Sequence, residues 1–135
     1  MKKIKIGKQE VVHFVGIGGI GMSGLAQIMK TMGFKVQGSD ISKNKNTDNC
    51  KILGIKILIG HSKQNISRAT ITVKSSAIKL SNVELVESKR KKIPIYDRIE
   101  MLANIIDLKK NIIITGSHGK TTTTSLVAKI ISTAK

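Results

Sequence analysis

Short apolar runs alternate along the chain with segments in which apolar residues recur every three or four positions. The run at residues 11–16 carries few charges and predicts a strand that is buried on both faces. From Ile20 to Met32 the apolar residues recur at helical spacing, which predicts a helix that Gly33 ends. Alternation of this kind is typical of an α/β fold in which helices flank a parallel sheet.

Further apolar runs predict four more strands before residue 110, with helical patterns between them. The strands are expected at residues 35–38, 55–60, 69–74 and 93–96, a turn or short helix around 61–65, and helices at 82–92, at 98–106 and from the polar run 42–49 to Gly54. In the helix at 82–92, Val83 and Val86 are predicted to face the core, with Leu85 as a third candidate. The basic cluster at residues 89–92 is predicted to be a solvated helix end.

A separate strand of the buried type is predicted at residues 111–115, followed by a glycine turn and a helix over about residues 120–133. A parallel strand that is buried on both faces needs neighbouring strands and covering helices. This segment is therefore expected to open a second α/β domain whose remainder is absent. The predicted organisation is a Rossmann-like domain at residues 1–108 and the incomplete start of another domain at residues 109–135.

Composition narrows the class of protein. The chain has 135 residues, 40% of them hydrophobic, which is enough for a compact domain with its own core. Cys50 is the only cysteine, so an intramolecular disulfide framework and a multi-cysteine metal site are excluded, and we expect Cys50 to be structural or exposed. No segment has the ~18 apolar residues of a membrane span, and no signal peptide is evident. The sequence predicts a cytoplasmic protein with no membrane partner.

The charge balance is strongly basic, with 24 Lys and Arg against eight Asp and Glu and a net charge of +16. Such a balance raises the hypothesis of a nucleic-acid accessory protein. The basic residues are scattered, however, and Phe14, Phe34 and Tyr96 are the only aromatic residues, too few for a base-stacking platform. We therefore predict no nucleic-acid partner, and anionic small molecules remain candidate ligands.

The first glycine cluster follows the first predicted strand and opens the first predicted helix. Gly16, Gly18 and Gly21 form a GxGxxG pattern, which lets the backbone turn tightly and approach a diphosphate at the helix amino end. Asp40 lies nineteen residues beyond Gly21, where a carboxylate can accept a hydrogen bond from a ribose hydroxyl. The pattern suits NAD, FAD or a UDP-sugar equally, and a tight turn without a ligand is the alternative.

A second glycine cluster, at residues 115–122, also lies between a predicted strand and a predicted helix. Lys120 is placed to neutralise β- and γ-phosphates, Thr121 to hold Mg²⁺ through its hydroxyl, and the loop amides to cradle phosphate oxygens. The pattern departs from GxxxxGK[ST] because Ile114 replaces the first glycine. An ordinary glycine turn is the alternative.

The three histidines carry different predictions. His13 lies inside the first predicted strand and is expected to be packed in the core. His61 ends a predicted strand and is either a half-buried surface residue or a ligand contact. His118 lies within the second glycine cluster and is expected near the phosphates of a nucleotide. The methionines at 22, 29 and 32 are predicted to pack the first helix against the sheet.

Six segments together resemble the Mur ligases of peptidoglycan synthesis. They are His13–Ala26, Gly38–Asp40, Ile59–His61, Ser75–Lys79, Ile93–Leu102 and Thr115–Ala128. The resemblance is greatest to the branch that joins L-alanine to UDP-N-acetylmuramate. It implies that ATP phosphorylates the lactyl carboxylate of the UDP-sugar and that the amine of L-alanine attacks the acyl phosphate. It further implies a UDP-sugar-binding first domain, an ATP-binding second domain and a third domain for the amino acid.

The resemblance also implies roles for individual positions in this sequence. Gly18, Gly19, Gly21 and Ser23 would border the diphosphate, Asp40 and His61 would lie by the uridine, and Ser75 and Ser76 would line the sugar–phosphate side. Gly116, Ser117, His118, Gly119, Lys120, Thr121 and Thr122 would hold the ATP phosphates, with Lys120 as the catalytic cation and Thr121 on Mg²⁺. The L-alanine site would lie outside these residues.

The 135-residue chain alone is expected not to ligate L-alanine. Thirteen residues follow Thr122, too few for the remaining ATP contacts and the amino-acid domain, and phosphoryl transfer depends on complete positioning. Phosphate release in the presence of ATP, UDP-N-acetylmuramate and L-alanine should stay at the blank level, and turnover above the blank would contradict this prediction. A non-enzymatic NAD-binding regulatory module is the alternative function, although it leaves residues 116–122 unexplained.

Overall fold

A computed structural model describes residues 4–114 of the protein and shows a five-stranded sheet flanked by helices. The strands are β1 (Val11–Val15), β2 (Lys35–Asp40), β3 (Lys56–Ile59), β4 (Ile71–Lys74) and β5 (Ile95–Asp97). The helices are α1 (Ile20–Thr31), α2 (Lys45–Ile52), α3 (Val83–Arg90) and α4 (Arg98–Ile114), with a 3₁₀ helix at Lys63–Ile66. The five predicted strands and the predicted Rossmann-like α/β class are confirmed.

All strand pairs are parallel, and the order across the sheet is β3-β2-β1-β4-β5. The central strand β1 pairs with β2 and β4, so Val12 lies opposite Val36 on one side and Ile71 on the other. The helices divide between the two faces, because α1 packs against α2 and α4, whereas α3 packs against the 3₁₀ helix. This arrangement is the doubly wound architecture of nucleotide-binding folds.

The face of the sheet under α1 and α4 is apolar. Val12 and Phe14 of β1 are fully buried there, together with Leu25 of α1 and Met101 and Ile105 of α4. The three methionines 22, 29 and 32 also pack into or against this core, as the sequence predicted. Burial of these side chains is the main source of stabilisation on this face.

The opposite face of the sheet is polar, and it determines how α3 lies on it. Side chains alternate along a strand, so His13 of β1 and Thr72 of β4 point away from the apolar core, and both are fully buried. Helix α3 meets them with Glu84 and Ser88, which lie four residues apart on one helix face and are also fully buried. Thr72 Oγ1 lies 2.9 Å from Ser88 Oγ.

The predicted orientation of α3 is therefore wrong in part. Val83 and Val86 are 42% and 54% exposed, and of the three predicted inward residues only Leu85 is buried. Had the valines faced the sheet, the buried polar groups beneath α3 would have lacked hydrogen-bond partners, which costs more than exposing two valines. The prediction of a solvated basic helix end is confirmed, since residues 89–92 are exposed.

The strand predicted at residues 111–115 is also wrong as far as residue 114, because α4 continues to Ile114. A helix satisfies its backbone hydrogen bonds within the segment, whereas a strand needs a neighbouring strand. Within the described residues the sheet ends at β5, and residues 111–114 pair with none of its strands. The second glycine cluster, from Gly116 to Thr122, and the helix predicted at residues 120–133 lie outside the described residues.

Candidate functional site

The predicted ligand-binding residues gather at the carboxyl edge of the sheet, beside β1 and β4. The connection after β1 leads to α1 on one face, and the connection after β4 leads to α3 on the other. Such a divergence leaves a crevice between the two connections, which is where open parallel sheets bind their ligands. The first glycine cluster follows β1, Ser75 and Ser76 follow β4, and Asp40 ends β2.

The glycine turn is fixed to β2 through its backbone. The amides of Gly16 and Ile17 both donate to the carbonyl of Ser39, each at 2.9 Å. Gly16 has φ of +85°, a conformation that glycine adopts without strain. A side chain at Gly16 would also meet Ile78 of the β4 connection at 2.9 Å, so the two connections are in contact here.

Asp40 and α2 hold Gly18 from both sides. Its amide donates to Asp40 Oδ2 at 2.7 Å, and its carbonyl accepts from Asn44 Nδ2 at 3.0 Å and from Asn46 Nδ2 at 2.9 Å. Asp40 Oδ1 accepts from the amide of Ile41 at 2.7 Å. The carboxylate predicted to contact uridine therefore positions the glycine turn, and each of its oxygens keeps a further lone pair for a ligand.

The amino end of α1 is presented at the crevice without a cap. Gly19 is its N-cap residue and is exposed, no side chain caps the helix, and its first turn contains no acidic residue. Helix amino ends carry free amides and partial positive charge, so this end suits an anion. Ser23 does not reach the crevice: it is 3% exposed, and its hydroxyl donates to the Ile20 carbonyl at 3.1 Å.

The remaining edge of the crevice is formed by the connection after β4 and by the end of β5. Ser75 is half-buried and Ser76 is exposed, which leaves the Ser76 hydroxyl open to solvent. Lys74 Nζ pairs with Asp97 Oδ1 at 2.8 Å and joins the ends of these two strands. Arg98, which follows Asp97, lies against Gly21 in the first turn of α1.

His61 is held from below by the buried carboxylate of Glu84. Its Nδ1 lies 3.2 Å from Glu84 Oε2 and 3.2 Å from Ser39 Oγ, and its side chain is 16% exposed. Glu84 also accepts from Ser39 Oγ at 2.6 Å, from the Ser62 amide at 3.1 Å and from Asn65 Nδ2 at 2.7 Å. One carboxylate of α3 thus connects β2, the segment after β3 and the 3₁₀ helix.

His13 completes this network from β1 and has a defined tautomer. Its Nε2 lies 2.6 Å from Glu84 Oε1, and its Nδ1 lies 2.9 Å from Gln37 Nε2. Gln37 Nε2 also donates to the Asn65 carbonyl at 2.8 Å, which fixes this atom as the amide nitrogen. His13 therefore accepts at Nδ1 and donates from Nε2, as a neutral imidazole does. It is packed in the interior, as predicted.

Glu84 stays ionised although it has no exposed surface. Burial raises the pKa of a carboxyl group, but the hydrogen bonds from His13, Ser39 and Asn65 favour the charged form more strongly and lower the pKa of Glu84 to about 2. Because Glu84 is charged, His61 is expected to carry a proton on Nδ1, the ring nitrogen that faces this carboxylate. Sequence reasoning missed Glu84, since a charged residue on a helix is usually exposed.

Cys50 takes no part in this site. It is fully buried under α1, where its Sγ lies 3.8 Å from the Ser23 carbonyl. Burial raises the pKa of its thiol to about 11, so it is an unreactive packing residue. Within the described range, no group of three or more metal-ligating side chains is placed to hold an ion, and no helix combines the length and apolarity needed to cross a membrane.

Comparison with known proteins agrees with this architecture. The chain is 65% identical over 133 residues to UDP-N-acetylmuramate–L-alanine ligase of Pelagibacter ubique strain HTCC1062, and 57% identical over 122 residues to the enzyme of that name from Aquifex aeolicus strain VF5. These alignments cover 98% and 90% of this chain but 29% and 27% of the two ligases. The chain thus spans less than a third of the length of these relatives.

A solved structure and a family description give the same result. The crystal structure of UDP-N-acetylmuramate-alanine ligase from Thermotoga maritima superposes with a TM-score of 0.70 at 34% identity, over 73% of this chain and 23% of that one. The Mur ligase family, catalytic domain, matches residues 11–110, which include the whole sheet and the crevice at its carboxyl edge. The chain therefore belongs to the Mur ligase family.

Proposed function

We propose that this chain is the UDP-sugar-binding part of an ATP-dependent ligase that joins L-alanine to UDP-N-acetylmuramate. The observation that carries the proposal is the uncapped amino end of α1 at the crevice between β1 and β4, which offers free amides to a diphosphate. Family membership supports this ligand class, and the ligases from Pelagibacter ubique and Aquifex aeolicus are named for this pair of substrates.

In this proposal, different described residues contact different parts of the UDP-sugar. Gly18, Gly19 and Gly21 border the diphosphate, which accepts hydrogen bonds from the first-turn amides of α1. Asp40 and His61 lie towards the uridine, and Ser75 and Ser76 line the sugar–phosphate side. Ser23 acts from within the helix, since its hydroxyl is bonded to the backbone of the turn that presents those amides.

The ATP-binding role rests on the sequence from Gly116 to Thr122 and on the family. We propose that residues 1–108 form the UDP-sugar domain and that residues 109–135 begin the ATP domain, with α4 running across this boundary. Lys120 would stabilise charge on the transferring phosphoryl group, and Thr121 would hold Mg²⁺ through its hydroxyl. The single buried cysteine, without a disulfide partner, supports a cytoplasmic location.

Calorimetric titration of the 135-residue chain tests the ligand class. UDP-N-acetylmuramate should release heat with a single-site isotherm, and NAD at the same concentrations should release none. Both ligands carry a pyrophosphate beside a ribose, so NAD is the matched control for simple attraction of an anion to a basic protein. Heat with NAD and none with UDP-N-acetylmuramate would replace this proposal with a nicotinamide-nucleotide-binding function.

A further inference from the structure

Arg98 lies against the helix end where the diphosphate is proposed to bind. It is the first residue of α4 and follows the carboxyl end of β5 directly. A Cβ atom added at Gly21 would come within 3.0 Å of Arg98 Nη1 and 3.1 Å of its Cδ and Cζ. The third glycine of the GxGxxG pattern is therefore the residue that lets this guanidinium pack on the first turn of α1.

This position is electrostatically unfavourable in the protein alone. The amino end of a helix carries partial positive charge, and a cation beside it is repelled. The first turn of α1 contains no acidic residue that would balance the guanidinium. The carboxylate next in sequence, Asp97, is paired with Lys74 at 2.8 Å. The Asp40 carboxylate is bonded to the Gly18 amide just before this helix end, and Arg98 adds a positive group on the side of Gly21.

The Nη1 atom of Arg98 is also left without a partner. It is buried from solvent, and no acceptor within residues 4–109 lies in hydrogen-bond range of it. A buried donor of a charged group that makes no hydrogen bond costs folding free energy. A hydrophobic side chain of similar length would avoid that cost, so packing alone does not account for an arginine here.

We propose that Arg98 binds the diphosphate of the UDP-sugar, with Nη1 donating to a phosphate oxygen held at the amino end of α1. This inference rests on the proposed function, because it takes its ligand from it. A diphosphate would balance the helix end and the guanidinium together and would satisfy the buried donor. Arginine suits this task because its planar group presents several donors to phosphate oxygens and stays charged at all relevant pH values.

A purely structural role for Arg98 makes opposite predictions. The guanidinium atoms Nη1 and Cζ cover Gly21 together with Cδ of the stem, so a structural arginine would contribute stability through packing of the guanidinium, and Arg98→Met would lower the melting temperature. If Arg98 serves the diphosphate instead, replacing its charge with an apolar group of similar length should leave the unliganded protein as stable or more stable. Ligand affinity and thermal stability therefore respond differently in the two cases.

The test compares three variants of the 135-residue chain, titrated with UDP and with uridine and melted without ligand. Arg98→Met keeps an unbranched stem and removes the guanidinium, and Arg98→Lys keeps the positive charge but not the planar set of donors. Arg68→Met is the matched control, because Arg68 is exposed and lies before β4, at the opposite edge of the sheet. Arg98→Met should lose about tenfold or more in affinity for UDP and none for uridine, with a melting temperature equal to or above that of the wild type. The affinity of Arg98→Lys for UDP should lie between those of the wild type and Arg98→Met, and Arg68→Met should match the wild type.

Several results would overturn the role of Arg98 while leaving the proposed function intact. They are wild-type affinity of Arg98→Met for UDP, an equal loss for UDP and uridine, or a lowered melting temperature with Arg98→Lys no better than Arg98→Met. In each case the wild-type chain would still bind UDP-N-acetylmuramate. If the wild-type chain binds neither UDP-N-acetylmuramate nor UDP, the proposed function and the role of Arg98 fail together.

Discussion

Replacing Glu84 with glutamine should destabilise the protein by about 3 kcal/mol, a large share of the 5–15 kcal/mol that holds a domain folded. Five groups donate to the two carboxylate oxygens: His13 Nε2, Ser39 Oγ, His61 Nδ1, the Ser62 amide and Asn65 Nδ2. Glutamine has one acceptor oxygen and one NH₂ group, so in either orientation a donor faces donors in a fully buried site. Urea unfolding at pH 7 measures the loss.

Glu87→Gln is the matched control for Glu84→Gln. Glu87 lies on the same helix and makes the same charge change on substitution, but its partner is Arg90, a surface side chain that is 67% exposed. A surface ion pair of this kind contributes little, so Glu87→Gln should unfold at nearly the wild-type urea concentration. Equal destabilisation by the two substitutions would show that the hydrogen bonds to Glu84 contribute no more to the free energy of unfolding than a surface ion pair does.

The contribution of Glu84 to folding stability should also depend on pH, and its lowered pKa means that the contribution is lost as the pH falls. Folding lowers the pKa of Glu84 from 4.5 to about 2, so the unfolded chain takes up this proton first as the pH falls. The lowering corresponds to about 3 kcal/mol of stability that is present above pH 4.5, declines from there to about pH 2 and is absent below it. The difference between wild type and Glu84→Gln should shrink over this range. A constant difference from pH 7 to pH 2 would contradict an ionised Glu84.

The apolar half of this fold could be predicted from the sequence because its signals are local. Val12 and Phe14 lie in an uninterrupted apolar run, and Leu25 and Met29 recur at helical spacing, so one buried strand and one covering helix follow from neighbouring residues. The glycine turn between them was equally local, since its three glycines mark both a tight turn and a helix amino end. The position of the site therefore followed from the first forty residues.

The polar half could not be predicted, because its interactions connect distant residues. His13 and Glu84 are 71 residues apart, and nothing in the local pattern of α3 indicates that a glutamate faces the interior in place of Val83 or Val86. Arg98 was overlooked for the same reason, since its proximity to Gly21 appears only when α4 packs beside α1. Residues 111–114 show the reverse error: an apolar, β-branched run indicated a strand, and helix geometry outweighed that propensity.

Gly38→Ala should destabilise the protein by about 3 kcal/mol and weaken binding of UDP-N-acetylmuramate as well. Gly38 lies within β2, and an added Cβ atom would be 2.5 Å from Ile17 Cδ1, 2.7 Å from Ile17 Cβ and 2.9 Å from the Phe14 carbonyl oxygen. The carbonyl belongs to β1 and cannot withdraw without breaking the sheet. Ile17 is fully buried and lies inside the glycine turn, so relief of the overlap has to move that turn. Thermal melting and calorimetric titration measure the two effects.

Gly19→Ala is the control for Gly38→Ala, because it tests whether this region rejects any alanine or only one whose Cβ atom overlaps its neighbours. A Cβ atom there would find its nearest neighbours at 3.7 and 3.9 Å, and Gly19 has φ of −69°, which alanine adopts freely. This variant should lose less than about 1 kcal/mol, the effect of alanine at a helix N-cap. Ile17→Ala should cost about 2–5 kcal/mol alone but less when Gly38→Ala is already present, because truncating Ile17 removes the atom nearest to the new methyl group. Strict additivity of these two substitutions would show that they act independently and that Gly38 is glycine for some reason other than its contact with Ile17.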